Sequence, residues 1–133
     1  MAAEFVDNSR IVLRELAHAT KTAMERIGQQ AEGYAKDLCP EDTGMLRASI
    51  THGYDAEKKE VYIGTASEYA PYVELGTGIY YPGGRRQPWV YQDVHGNWHR
   101  TSGNRPQPFL RPAMEDHIGT YKSIIKDELS KGG

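Results

Sequence analysis

The sequence predicts an α+β fold in a single domain over residues 1–133: a long N-terminal helix and a C-terminal helix packed on a small antiparallel sheet, with an extended β-hairpin insertion. Segments with the helical spacing of apolar residues stand near both ends of the chain. Between them lie segments rich in β-branched and aromatic residues, separated by turn residues. A chain of 133 residues is long enough for one modest core.

Composition narrows the classes of protein. The 38% hydrophobic and 26% charged residues are typical of a globular protein, and no apolar run approaches the roughly 18 residues of a membrane span. The start, MAAEFVDNSR, lacks a basic cluster followed by an apolar segment, so we expect no secretory signal. The single cysteine, Cys39, excludes an internal disulfide. These features fit the cytoplasm or a particle assembled there.

Charge is distributed unevenly along the chain. The net charge of −2 gives no overall reason to expect binding to nucleic acid. The segment from Arg85 to Arg111 holds five arginines, no lysine and one acid, so it carries +4 and the rest of the chain −6. Docking on an acidic partner surface is the interpretation that we favour for this basic segment. A solvated loop and contact with DNA phosphates are the alternatives.

The first element is predicted as a helix over about residues 9–38. Its length would be about 45 Å at 1.5 Å per residue, which exceeds the width of so small a domain. We therefore expect another subunit to cover part of its apolar stripe. Pro40 ends the helix, and PEDTG turns the chain. The stripe steps by three or four positions through Leu13, Leu16, Thr20, Ala23, Ile27, Ala31, Tyr34 and Leu38.

A β-hairpin is predicted next, over about residues 46–65. LRASITHGY and EVYIGT have the composition of antiparallel strands, separated by the charged DAEKK. Because side chains alternate along a strand, Val61 and Ile63 should share one face and Tyr62 should point to the other.

The stretch EYAPYVELGTG favours one helical turn over about residues 70–76, with a strand as the alternative. Pro71 suits a first helical position, and Gly76 suits the left-handed residue that ends a helix. Glu74 is a lone acid among apolar residues. We expect it to pair with an arginine, for example Arg47 or Arg111, or with a neighbouring subunit.

The C-terminal half contains an arginine-rich hairpin insertion, about residues 79–104. WVYQ and NWHR flank DVHG, with Gly96 in the turn, and Trp89 and Trp98 are expected to pair across the strands. Prolines then keep the chain extended until a helix over about residues 112–130. The predicted core consists of Ile27, Tyr34, Ile63, Tyr72, Phe109, Leu110 and Ile118.

Residue patterns give no reason to predict catalytic, cofactor-binding or metal sites. GTG lacks the further residues of a phosphate-binding loop or a dinucleotide fingerprint. His95 and His99 superficially suggest the metal site of a small nuclease. A metal site requires three or four converging ligands, however, and the remaining candidates, Cys39 and His52, are far away in the sequence.

Three ordered motifs carry a family resemblance. The chain resembles the gene-product-ten-like family of tail components from HK-type siphophages. The resemblance is carried, in this order, by CPEDTGMLRASI, VYIGTASEYAPYVELGTG and RPQPFLRPAM. Within these stretches, the segments that match the family fall on residues 40–50, 69–77 and 107–113, and the resemblance spans most of the chain.

The resemblance implies a non-enzymatic virion protein without cofactors, made in the host bacterial cytoplasm and located at the head–tail junction. It implies a ring, hexameric in the particle, between an adjacent neck or connector protein and the tail tube or terminator protein. A metal-dependent nuclease and a DNA-contacting neck component are the alternatives. Expected partner-interface residues are Glu74, Arg85, Arg86, Trp89, Tyr91, Trp98 and Arg100.

Overall fold

The computed structural model describes residues 2–7, 10–14, 19–40, 44–68, 70–84 and 86–131. It confirms an α+β fold with an antiparallel sheet. A short 3-10 turn, Gly78–Tyr80, follows the third helix. The elements in chain order are β1 (Ala2–Asp7), β2 (Arg10–Arg14), α1 (Lys21–Leu38), α2 (Gly44–Ser49), β3 (Thr51–Asp55), β4 (Glu60–Gly64), α3 (Ala70–Leu75), β5 (Trp89–Gln92), β6 (Trp98–Thr101), α4 (Leu110–Glu115) and α5 (Ile118–Ser130).

We call the protein without the insertion over residues 79–104 the body. A four-stranded antiparallel sheet with the order β1-β2-β4-β3 forms its centre. The register places Ile11 opposite Ile63 and Leu13 opposite Val61, so these four side chains share one face. All four are fully buried in the core that the sheet forms with the helices. Tyr62 is only half-buried, which confirms the predicted alternation along β4.

The N-terminal prediction of a helix from about residue 9 is wrong, because residues 10–14 form strand β2. Ile11, Val12 and Leu13 are consecutive and almost completely buried. A continuous apolar run of this kind fits a strand covered on both faces, whereas consecutive positions on an amphipathic helix point in different directions.

Helix α1 begins at Lys21 and is 18 residues long. Thr20, which the helical pattern placed inside the helix, is its N-cap, and its Oγ1 accepts a hydrogen bond from the backbone N–H of Ala23 at 3.1 Å. A helix of this length spans about 27 Å. Its length therefore gives no argument for a second subunit.

One further boundary differs from the sequence prediction. Residues 44–49, assigned in part to a strand, form α2, and the Arg47 guanidinium there donates to the Cys39 carbonyl at 2.9 Å. The predicted turn PEDTG lies partly outside the described residues, because 41–43 are not among them.

The predicted C-terminal helix is divided into α4 and α5 at Asp116–His117. The break places the His117 ring on Tyr34, with 3.5 Å between ring centroids. It also lets the Tyr121 hydroxyl donate to the Ala113 carbonyl at 2.5 Å. Burial raises the pKa of this Tyr121 hydroxyl, so the side chain stays a neutral donor inside the core.

The predicted core is confirmed at four positions, is only half-buried at two and is wrong at one. Ile27, Ile63, Phe109 and Leu110 are fully buried, while Tyr34 and Ile118 are half-buried against the core. Tyr72 was predicted to be buried and is 49% exposed. It lies on the side of α3 that faces the insertion, where its ring centroid is 5.1 Å from that of Tyr81.

Candidate interaction site

Helix α3 carries Glu74 into the interior, where its carboxylate caps the start of α4. One carboxylate oxygen, Oε1, accepts hydrogen bonds from the backbone N–H groups of Phe109 and Leu110 at 2.9 and 2.8 Å. The other, Oε2, accepts from the N–H of Arg111 at 3.2 Å. The next residue, Pro112, has no N–H to satisfy. Glu74 therefore supplies acceptors for the first-turn donors of α4, which a helix cannot satisfy internally.

This geometry corrects two expectations for Glu74. Its partners are backbone amides, whereas the guanidinium groups of Arg47 and Arg111 bind the Cys39 carbonyl and the Glu115 carboxylate, respectively. Glu74 is also only 3% exposed. It therefore stabilises the body from within, and the folded chain does not offer it as a contact for a partner.

The two ends of the insertion meet directly after α3. The backbone N–H of Thr77 donates to the Asn104 carbonyl at 2.9 Å, and the Asn104 N–H donates to Thr77 Oγ1 at 2.7 Å. Further in, the Gln107 N–H donates to the Val73 carbonyl at 2.8 Å. We call the pairing of Thr77 with Asn104 the clasp. It sets where the insertion leaves the body and where it returns.

Glycine is required on both sides of the clasp. Gly78 has a φ of +60° and Gly103 a φ of +117°, which is the left-handed range that side chains disfavour. A Cβ on Gly78 would lie 2.2 Å from the Ser102 carbonyl oxygen, and one on Gly103 would lie 2.1 Å from that of Thr77. GTG is thus a point of close backbone approach. The role of this motif is therefore structural, and it is not a phosphate-binding loop.

Beyond the clasp, β5 and β6 form the predicted hairpin. Trp89 pairs with Thr101, and Trp98 pairs with Gln92. Because side chains alternate, the two tryptophans point to opposite faces, and the expected Trp89–Trp98 pair is not formed. The inner face carries Trp89, Tyr91, His99 and Thr101, and the outer face carries Val90, Gln92, Trp98 and Arg100.

The tip of the hairpin is organised by Asp93. Its Oδ1 accepts from the N–H groups of His95 and Asn97, both at 2.9 Å, and its Oδ2 lies 2.7 Å from His99 Nε2. The hydrogen bond with His99 is the main cause that lowers the pKa of Asp93. The His99 ring also stacks on Tyr91, with centroids 5.2 Å apart.

These contacts assign His99 a role within the hairpin. In the part of the chain that the structure describes, no group of three or more His, Cys, Asp or Glu side chains is placed to hold a metal ion. His95, the other histidine considered for a metal, is exposed at the tip and contributes its backbone N–H to Asp93.

The outer face and the tip of the hairpin expose apolar side chains to solvent. Val90 is 62% exposed, Trp98 68% and Val94, at the tip, 96%. Arg100 on the same face and Arg86 before β5 are exposed as well. On the inner face Trp89 is half-buried and Tyr91 is exposed. Arg85 was also predicted to contact a partner, but it lies outside the described residues.

A cavity of about 440 Å³ lies between α3 and the insertion. Tyr72 and Trp89 reach it from the body and from the inner face of the hairpin, respectively, and Tyr81 is tilted by 35° against Tyr72. We call it the aromatic cavity. Its lining residues are Tyr72, Thr77, Gly78, Tyr81, Gly83, Gly84 and Trp89.

Sequence reasoning missed Thr77, Tyr81, Asp93 and Asn104. Asp93 could have been found, because an Asp at the start of a tight turn commonly accepts hydrogen bonds from backbone groups two residues on. Thr77 and Asn104 are far apart in the sequence, and nothing in their local patterns indicates that they pair.

Taken together, these features define a small α+β protein whose buried polar cap and clasp hold a projecting hairpin. The family model described as "Bacteriophage HK97-gp10, putative tail-component" matches residues 3–76, more than half of the chain. The chain belongs to this family of phage tail components, which are structural proteins of the virion. The match ends at Gly76, one residue before the clasp.

Comparison with curated proteins and with solved structures gave no match. Among the described residues, no helix has both the length and the apolar character needed to cross a membrane.

Proposed function

We propose that this chain acts at the head–tail junction of a tailed phage or prophage, where it completes the neck or tail as a ring and its hairpin binds the adjacent component. Membership in the tail-component family supports a place in the tail. The observation that carries the proposal is the outer face of the hairpin, which presents Val90, Trp98 and Arg100 to solvent beside Val94 at the tip.

Such a surface is typical of an interaction site. An isolated two-stranded hairpin is marginally stable in water, so large apolar side chains on it gain most by burial against a partner. Trp and Arg are among the residues most enriched at binding hot spots. The +4 charge of the segment from Arg85 to Arg111 favours an acidic neighbour and directs its orientation more than its affinity.

A ring requires two different surfaces on each subunit, because its contacts run head to tail. The basic segment from Arg85 to Arg111 can supply one surface, and the remainder of the chain, which carries −6, can supply an acidic one. The six-fold number comes from the family resemblance alone. Imaging of particles that carry a tagged copy tests position and symmetry together, and a density away from the head–tail junction would contradict the proposal.

Charge reversal on the hairpin tests the docking surface. We expect Arg86→Glu combined with Arg100→Glu to leave the fold intact, because exposed charges contribute little to stability. In a phage that lacks this gene, the double variant should yield heads and tails that remain separate. The matched control, Lys122→Glu with Lys126→Glu, makes the same charge change on exposed positions of α5 and should restore joining. If the arginine variant gave wild-type yields of joined particles, the hairpin would be a solvated loop and not a docking surface.

Removal of the insertion provides a second test. Because the clasp brings Thr77 and Asn104 together, residues 79–102 can be replaced by a short glycine-rich turn. We expect a variant with nearly unchanged unfolding behaviour that does not restore joining. Full complementation would show that the hairpin is dispensable.

A gel shift with double-stranded DNA at low salt tests the alternative of a DNA-contacting component, whose affinity would fall steeply as salt rises.

A further inference from the structure

The aromatic cavity is preformed by the backbone around the clasp. The Tyr81 N–H donates to the Gly78 carbonyl at 3.2 Å, and the Gly84 N–H donates to the Tyr81 carbonyl at 2.8 Å. A Cβ on Gly84 would lie 2.3 Å from the Gly78 carbonyl oxygen, so the backbones of these two glycines are in direct contact. These backbone N–H and carbonyl groups of the cavity wall therefore already have hydrogen-bond partners within the chain.

Its lining favours an apolar side chain with a flat surface. Aromatic rings provide the large side chains of the wall, and the described lining residues include no carboxylate and no cationic group. Grooves lined by aromatic residues bind proline-rich segments in the polyproline II conformation, which are already extended and lose little entropy on binding.

The charges near the cavity indicate which residues should flank the proline. Arg86 follows the lining residue Gly84 by two positions, and Arg105 follows Asn104 of the clasp. Both arginines are exposed. These arginines would repel a cationic residue next to an inserted proline, whereas they would attract an acidic one.

We propose that the aromatic cavity binds a proline side chain from an acidic, extended segment of a neighbouring virion protein. The inference rests on the proposed docking function and names the chemistry of the partner. A second copy of this chain is a poorer fit. Apart from Pro40, its prolines lie in helices, in the insertion or in the basic segment, so they are not part of an acidic proline-rich run.

Fluorescence of the isolated protein tests this assignment. The chain has two tryptophans, so Trp98→Phe leaves Trp89 as the single reporter in the cavity wall. The probe is a nine-residue peptide in which single glutamates alternate with runs of three prolines. We expect its addition to shift Trp89 emission in a saturable way, with an affinity that falls as salt is added.

Two tyrosine variants provide the matched pair. Tyr72→Ala removes one wall and should weaken binding by roughly tenfold or more. Tyr80→Ala removes an exposed tyrosine of the same segment that does not line the cavity, and it should bind as the parent does. Tyr72→Phe keeps the ring and should retain binding, which separates loss of the wall from a fault in folding.

Several results would overturn the proposal. An equal response to the same peptide with lysines in place of glutamates would remove the acidic requirement. A response to oligothymidylate, but not to the peptide, would make the cavity part of a nucleic-acid surface. Tighter binding of a peptide with the sequence of residues 37–45, DLCPEDTGM, would make the occupant a second copy. Failure of peptide binding alongside failed joining by the arginine variant would leave the proposed function standing and reject only the cavity assignment.

Discussion

Two antiparallel sheets lie within the described residues, and their surroundings differ. The four-stranded sheet has one face against α1 and the core, where Ile11, Leu13, Val61 and Ile63 are fully buried. The two-stranded sheet of β5 and β6 leaves Val90 and Trp98 largely exposed on its outer face. Its tip is instead ordered by hydrogen bonds to Asp93.

This contrast separates the residues that stabilise the fold from those available to a partner. In the body, substitution should lower the free energy of unfolding, because apolar burial is the main stabilising contribution. On the outer face of the hairpin, substitution should change assembly and leave unfolding nearly unaffected. The predictions below compare variants of the two regions.

The largest effect is expected at Phe109, which is fully buried. Phe109→Ala should lower the free energy of unfolding by about 3–5 kcal/mol, since it removes a large apolar side chain and leaves a cavity. Trp98→Ala on the hairpin should change it by less than about 0.5 kcal/mol. Urea unfolding followed by circular dichroism measures both, and equal losses would contradict the division between body and hairpin.

The next effect is expected at the buried cap. Glu74→Ala should cost about 3 kcal/mol, because it leaves buried N–H groups at the start of α4 without an acceptor. Glu74→Gln keeps a carbonyl oxygen that can still accept and should cost clearly less. Thermal unfolding of the two variants compares them. A loss as large for Gln as for Ala would show that the negative charge, not the number of acceptors, is what α4 requires.

A smaller effect is expected at the clasp. Gly103→Ala places a side chain at a φ of +117° and against the Thr77 carbonyl, which should cost about 1–3 kcal/mol. Amide hydrogen exchange at Thr77 and Asn104 should accelerate. Gly119→Ala in α5 is the control, since its Cβ would meet nothing within 4 Å and the substitution should be neutral or slightly stabilising. Unchanged exchange in the Gly103 variant would mean that the clasp does not hold the insertion.

The smallest effect concerns pH and the hairpin tip. The pKa of Asp93 is lowered below its ordinary value of 3.8, mainly by the hydrogen bond with His99. The ionised carboxylate therefore stabilises the tip fully above that ordinary value, and this contribution is lost as pH falls through the lower folded value. Carbon-13 titration of the side-chain carboxyl by NMR measures the shift. His99→Gln should move the Asp93 pKa back up, and an unaltered pKa would remove His99 as its cause.

Local signals were sufficient for some elements. Helix α3 forms where Pro71 and Gly76 predicted a helical turn, with Pro71 as its second residue and Gly76 directly after its end, because a helix start and a helix end each depend on a few adjacent residues. The hairpin of β5 and β6 was likewise predicted from its turn sequence. Strand β2 was not, because apolar residues in RIVLR also fit the helical steps that continue into α1.

The candidate site was predicted less well because its geometry depends on distant parts of the chain. The lone acid Glu74 was recognised as unusual, but its partners are backbone N–H groups 35 to 37 residues later. Backbone donors are present at almost every residue, so no side-chain pattern identifies them. The register that separates Trp89 from Trp98 depends on how many residues the turn contains.

The clasp has a consequence for how the chain can vary in length. Thr77 and Asn104 are hydrogen-bonded to each other. These contacts join the two ends of the insertion and do not depend on the length of the segment between them. The conformational entropy lost on closing a loop grows only with the logarithm of its length, about 0.6 kcal/mol for each doubling. Related chains can therefore carry shorter or longer segments at this point at little thermodynamic cost, and the surface shown to a partner can diverge faster than the core that supports it.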